Sequence, residues 1–130
     1  MGNVHLGKSS QQRLSQVNPE LQKVIVKSFE TMPFDVTITE GLRSEAQQKL
    51  NVAKGVSWTM KSKHLVGNAV DMVPYPVDWK NLDRFVTMAE HVFAASKELG
   101  IPVKWGGTWS TTTEGWQKTK NFDGPHIELA

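Results

Sequence analysis

The segment from Trp79 to Leu99 carries the longest helical periodicity in the chain, and it constrains everything around it. Leu82, Phe85, Val86, Ala89, Val92, Phe93 and Leu99 share one face, and Gly100 closes the run. An apolar stripe of this length is stable only when another layer covers it. The chain also holds short β-rich segments: Val36 and Ile38 with their neighbouring threonines, Leu65 to Val73, Ile101 to Trp105, and His126 to Leu129. Gly41 ends the first of these, and Pro74 with Pro76 ends the second.

Further helices are expected around this nucleus. Ser9 and Ser10 can cap a short helix reaching about Val17. Asn18-Pro19-Glu20 joins a cap, a proline at the first helical position and an acid in the first turn. Leu21, Val24, Ile25 and Ser28 then follow at helical spacing until Met32-Pro33. Ser44 opens another helix through Val52, stopped by Lys54-Gly55, and Trp58 to Lys63 reads as loop. Gly106 to Asn121 is polar and irregular. Helices and strands alternate without a fixed order, so the fold class is α+β, with residues 1–130 as one domain.

Composition then removes whole classes of chemistry. Without a cysteine there is no disulfide, no thiol nucleophile and no thiolate metal site, so any metal must be held by histidine, carboxylate and water. A net charge of +2 is too weak to argue for nucleic acid, although it tolerates an anionic polymer. No apolar run is long enough to span a membrane, and Met1 to Gln22 lacks the pattern of a signal peptide. Synthesis in the cytosol without an export signal is the expectation, and there is no linker leading to a second domain.

Two local matches mislead. Gly2 to Ser9 fits the phosphate-loop pattern GxxxxGK[ST], but such a loop must follow a buried strand, and only Met1 precedes it. A loose terminus leading into a capped helix accounts for the same residues. No GxSxG elbow supports serine-hydrolase chemistry.

Ser62-Lys63-His64-Leu65-Val66-Gly67-Asn68-Ala69-Val70-Asp71 is the informative stretch. A two-residue turn at Gly67-Asn68 would pair His64 with Asp71, with Cβ atoms about 4.5–5.5 Å apart. A looser loop before a strand would serve equally. His126 is a candidate third ligand, and two imidazoles with one carboxylate leave zinc's fourth position for water. Asp123 lies three residues before His126 and would face away in a straight strand, but Gly124-Pro125 can swing it round. Spacing alone admits a metal here without requiring one, since no HExxH is present. His91 lies off the apolar face of its helix and His5 in the N-terminal tail, so both read as solvated.

The pattern Ser62-x-His64-x-x-Gly67-x-Ala69-x-Asp71, followed by Asp123-x-x-His126, resembles the zinc signature of the DD-peptidase/hedgehog-fold peptidases. That group includes D-alanyl-D-alanine carboxypeptidases and dipeptidases as well as phage L-alanyl-D-glutamate endopeptidases. Similarity to the phage branch runs through Pro19 to Val24, Gly41-Leu42-Arg43 with Gln47, Ser62-Lys63-His64, and Phe122 to Leu129. The resemblance implies an antiparallel sheet with packed helices. It also implies Zn²⁺ held by His64, Asp71 and His126, with Asp123 as general base, and peptidoglycan stem peptides as substrate. A phage endolysin, monomeric, made in the host cytoplasm and acting on the wall after release, is the corresponding expectation.

The same resemblance gives Arg43 a place near the substrate, either stabilising an oxyanion or gripping a wall carboxylate; from the residues alone it reads as a helix-end partner of Glu45 or Glu40. Ser62 and Gln47 either orient the site or sit as ordinary surface residues. Glu128 shares a strand face with His126 and is either a partner for its imidazole or a rival base. Trp105 and Trp109 flank Gly106-Gly107 and either line the cleft or pack in the core. The competing functions are a D-alanyl-D-alanine carboxypeptidase or dipeptidase of the same fold, and a zinc-stabilised wall-binding module that does not cut.

Overall fold

The computed structural model describes residues 6–41 and 67–130. Helix α1 (Lys8–Leu14) and helix α2 (Pro19–Ser28) precede strand β1 (Asp35–Glu40). Strand β2 (Ala69–Tyr75), helix α3 (Leu82–Leu99), strand β3 (Val103–Trp105) and strand β4 (His126–Leu129) follow. A short 3-10 turn, Trp116–Lys118, interrupts the irregular stretch between the last two strands. The strands form one sheet in the order β1-β2-β4-β3, and every pairing is antiparallel.

Local sequence explains the helices. Asn18 caps α2, its side chain accepting from the Glu20 N–H at 2.9 Å. Gly100 ends α3 at φ 69, a left-handed conformation that lets the final carbonyls be capped. The stripe of α3 is buried through Phe85, Met88, Ala89 and Val92, whereas Leu82 and Leu99 at its two ends remain exposed. Leu21, Val24 and Ile25 of α2 pack into the same core as the inner sheet residues Val36, Ile38, Val70, Met72, Val103, Trp105 and Ile127. Each large side chain buried there contributes about 1.5–3 kcal/mol against chain entropy.

Ser10 departs from its expected role. Gly7 stands at the N-cap of α1 with no side-chain cap, and Ser10 lies inside the helix, buried. Its hydroxyl accepts from the Ile38 N–H at 3.0 Å, while Arg13 donates to the Ile38 carbonyl at 3.0 Å. Among the described residues β1 is an edge strand, and these two contacts satisfy the outward N–H and carbonyl of Ile38. Lys8 and Ser9 of the phosphate-loop match belong to the first turn of α1.

The expected strand end at Pro74 is overturned: β2 continues to Tyr75. Met72 donates its N–H to the Pro125 carbonyl on the β4 side. Two residues on, the Pro74 nitrogen points the same way but past the paired part of β4, so no ladder bond is lost. The expected pairing of His64 with Asp71 lies outside the described residues. Among the described residues Asp71 has Glu40 opposite it on one side and His126 on the other. The Gly67-Asn68 turn is tied to the start of α2, the Asn18 N–H donating to the Gly67 carbonyl at 2.8 Å. The helix expected from Ser44 and the loop from Trp58 lie outside the described residues.

Candidate metal centre

Strand register brings the site together. In the β2–β4 ladder Ala69 opposes Glu128, Val70 opposes Ile127 and Asp71 opposes His126. Because side chains alternate, Val70 and Ile127 enter the core while Asp71, His126 and Glu128 share the other face. His126 Nδ1 lies 3.4 Å from Asp71 Oδ1, and its Nε2 lies 2.8 Å from Glu128 Oε1.

Asp123 is delivered by the turn before β4. The His126 N–H donates to the Asp123 carbonyl at 3.1 Å, so the chain doubles back at Gly124-Pro125 and reverses the side-chain direction a straight strand would impose. Gly106 clamps this turn from the β3 side. Its N–H donates to the His126 carbonyl at 2.8 Å, and its own carbonyl accepts from the Asp123 N–H at 2.9 Å. A Cβ on Gly106 would run into the Asp123 carbonyl oxygen and come within 2.9 Å of the His126 Cβ. Trp105 donates its indole N–H to the Gly124 carbonyl at 2.7 Å. One ligand atom each from Asp71, Asp123 and His126 then lies within 4.8 Å of the others.

The electrostatics follow from this crowding. Burial disfavours the charged form of His126, but hydrogen bonds to Asp71 and Glu128 and the charges of Asp71 and Asp123 outweigh it. Its pKa is raised from 6.5 to about 9. In the metal-free protein a proton therefore occupies the ring at neutral pH, where a cation would compete with it.

The two tryptophans divide. Trp105 has no exposed surface and belongs to the core, so it does not line a cleft; it holds the Asp123–His126 turn from beneath. Trp109 is partly exposed and its ring centroid lies 5.1 Å from that of His126. His91 stands apart from the site, its Nδ1 2.7 Å from the Thr31 hydroxyl. Arg43, Gln47, Ser62 and His64 lie outside the described residues. The sequence reading missed the clamp at Gly106, whose only local signal is its position beside Trp105 and a second glycine.

An α+β domain thus carries, on one face of an antiparallel sheet, an imidazole and two carboxylates able to hold a divalent cation. The profile of the phage L-alanyl-D-glutamate peptidases matches residues 2–130. The chain belongs to that family. It is 39% identical over 131 residues to the L-alanyl-D-glutamate peptidase of Escherichia phage T5, covering 95% of this chain and 96% of that protein. Identity to the L-alanyl-D-glutamate peptidase of Listeria phage A118 is 36% over 103 residues, covering 77% of this chain and 32% of that longer protein. Among solved structures, the Serratia marcescens L-Ala D-Glu endopeptidase ChiX superposes with a TM-score of 0.83 at 35% identity, covering 97% of this chain and 90% of its own. The expected α+β class and the resemblance to the phage branch are both borne out. No helix among the described residues is long and apolar enough to cross a membrane.

Proposed function

We propose that this chain is a zinc-dependent L-alanyl-D-glutamate peptidase, an endolysin domain spanning residues 1–130 that cuts the stem peptides of bacterial peptidoglycan. The observation that carries this reading is the convergence of Asp71, Asp123 and His126 within 4.8 Å, in a chain of this peptidase family. The donor set fits zinc, which takes imidazole nitrogen and carboxylate oxygen. Asp71 and the Nδ1 of His126 would hold it, with His64 as the third ligand. Zinc, when bound, supplies a Lewis acid toward the scissile carbonyl and makes water acidic enough to attack near neutral pH.

The roles of Glu128 and Asp123 follow from what their side chains touch. Glu128 meets the Nε2 of His126 at 2.8 Å, which fixes the ring's orientation and leaves Nδ1 facing Asp71. That engagement makes Glu128 the weaker choice for the base. Asp123 is close to both Asp71 and His126, and its carboxylate takes a proton from water and returns one to the leaving amine. Family resemblance, not described geometry, assigns Arg43 to the developing oxyanion and Ser62 and Gln47 to orienting the site. The protein acts as a monomer, made in the host cytoplasm and reaching the wall after release.

The test is mass spectrometry of purified peptidoglycan after incubation with and without a zinc chelator. Chelator-sensitive release of stem peptides beginning at D-Glu is expected. Release of D-alanine alone would move the chain to the carboxypeptidase branch, and wall binding without cleavage would make it a binding module.

A further inference from the structure

Trp109 is held in an unusual way for a residue at the edge of a site. Its φ is 53, a left-handed backbone that bulky side chains rarely adopt. The turn that imposes this conformation is tight: the Trp109 N–H donates to the Trp105 carbonyl at 2.6 Å, and Trp105 bridges to Ser110. The indole N–H then donates to the carbonyl of Asn121 at 3.0 Å, and Asn121 is itself left-handed at φ 56. Both ends of the Gly106–Asn121 stretch are thus bent to fix one aromatic ring. That ring rests against His126 at 5.1 Å between centroids and is still 38% exposed. A ring serving only the core would be buried, as Trp105 is.

We infer that Trp109 is a specificity-determining platform that stacks on the sugar ring of the N-acetylmuramoyl group attached to the substrate's L-alanine. This rests on the functional reading above. The chemistry of the bond selects the occupant. On its amine side the L-alanyl-D-glutamate bond leads to a D-glutamate carrying carboxylate and amide groups, a poor match for an indole face. On its acyl side lie the alanine methyl, a lactoyl ether and then a pyranose, whose C–H faces suit stacking on an aromatic ring. One alanine and the lactoyl ether separate that sugar from the scissile carbonyl, so a platform adjoining His126 is within its reach.

The test uses the zinc-loaded 130-residue chain and two ligands that lack the scissile bond, N-acetylmuramoyl-L-alanine and N-lactoyl-L-alanine. They differ only in the sugar. Affinities come from NMR titration followed by backbone amide signals in every variant, with the Trp109 indole N–H as an added local signal in wild type. Wild type should bind the sugar ligand about three- to tenfold more tightly than the lactoyl ligand. Trp109→Ala should abolish that preference, so that it binds the two ligands equally, and Trp109→Phe should keep most of it. Equal affinities in wild type, or a preference that survives in Trp109→Ala, would overturn the inference. If Trp109→Ala does not fold, a folded Trp109→Phe without the preference overturns it as well. Wild type that cleaves walls yet shows no sugar preference defeats this inference alone; wild type that cleaves no wall defeats the functional reading.

Discussion

His126 and Asp71 stand directly opposite one another across the β2–β4 ladder, with Nδ1 and Oδ1 3.4 Å apart. Their proximity is a property of strand register, so it is fixed by the same pairing that buries Val70 and Ile127 on the reverse face. The consequences of this arrangement can be measured.

Asp71 and Asp123 should separate cleanly by substitution. Asp71→Ala should abolish both zinc retention and wall cleavage if Asp71 is the ligand proposed above. Asp123→Asn should retain zinc and the fold but lose about 10²–10⁴ in turnover, the usual worth of a positioned base. Metal content by atomic emission and turnover on purified walls decide the matter. Near-normal turnover in Asp123→Asn would pass the role to Glu128.

Glu128→Gln should weaken zinc binding by about 10–100-fold without removing a ligand, since it loosens the ring that carries Nδ1. Competition against a calibrated chelator reads this directly. An unchanged zinc affinity would mean that the 2.8 Å contact orients nothing of consequence.

The pH response of the metal-free protein has a definite sign. His126 has its pKa raised to about 9 in the fold against an ordinary value of 6.5, so the folded state holds this proton more tightly than the unfolded chain. The stabilisation is complete below pH 6.5 and is lost as pH rises to about 9. Melting temperature of chelator-treated protein should fall across that window. In zinc-loaded protein the metal replaces the proton, and the fall should disappear. A flat profile in the metal-free protein would contradict the geometry around the ring.

Gly106→Ala should destabilise the protein by about 1–3 kcal/mol, the ordinary cost of forcing extra volume into a packed site. The added Cβ meets the Asp123 carbonyl and the His126 side chain, so both must shift. Activity should fall further than stability does, because the two displaced residues belong to the site. Chemical denaturation together with turnover on walls provides the comparison, and a stable, fully active variant would show that the clamp is not needed.

The chain's own pattern determined much of this architecture. Asn18-Pro19-Glu20 starts α2, Gly100 stops α3, and the apolar stripe from Phe85 to Val92 faces the core, because caps and helical spacing act over a few neighbouring residues. Strand periodicity likewise put Glu128 on the face of His126. Only the tertiary structure decided which strand lies beside Asp71, why Ser10 serves β1 instead of capping α1, how Pro74 fits inside β2, and that Trp105 is core while Trp109 is not. Each of these turns on a partner distant in the sequence, and pairing between distant segments is set by the simultaneous burial of the whole core, which no local pattern encodes.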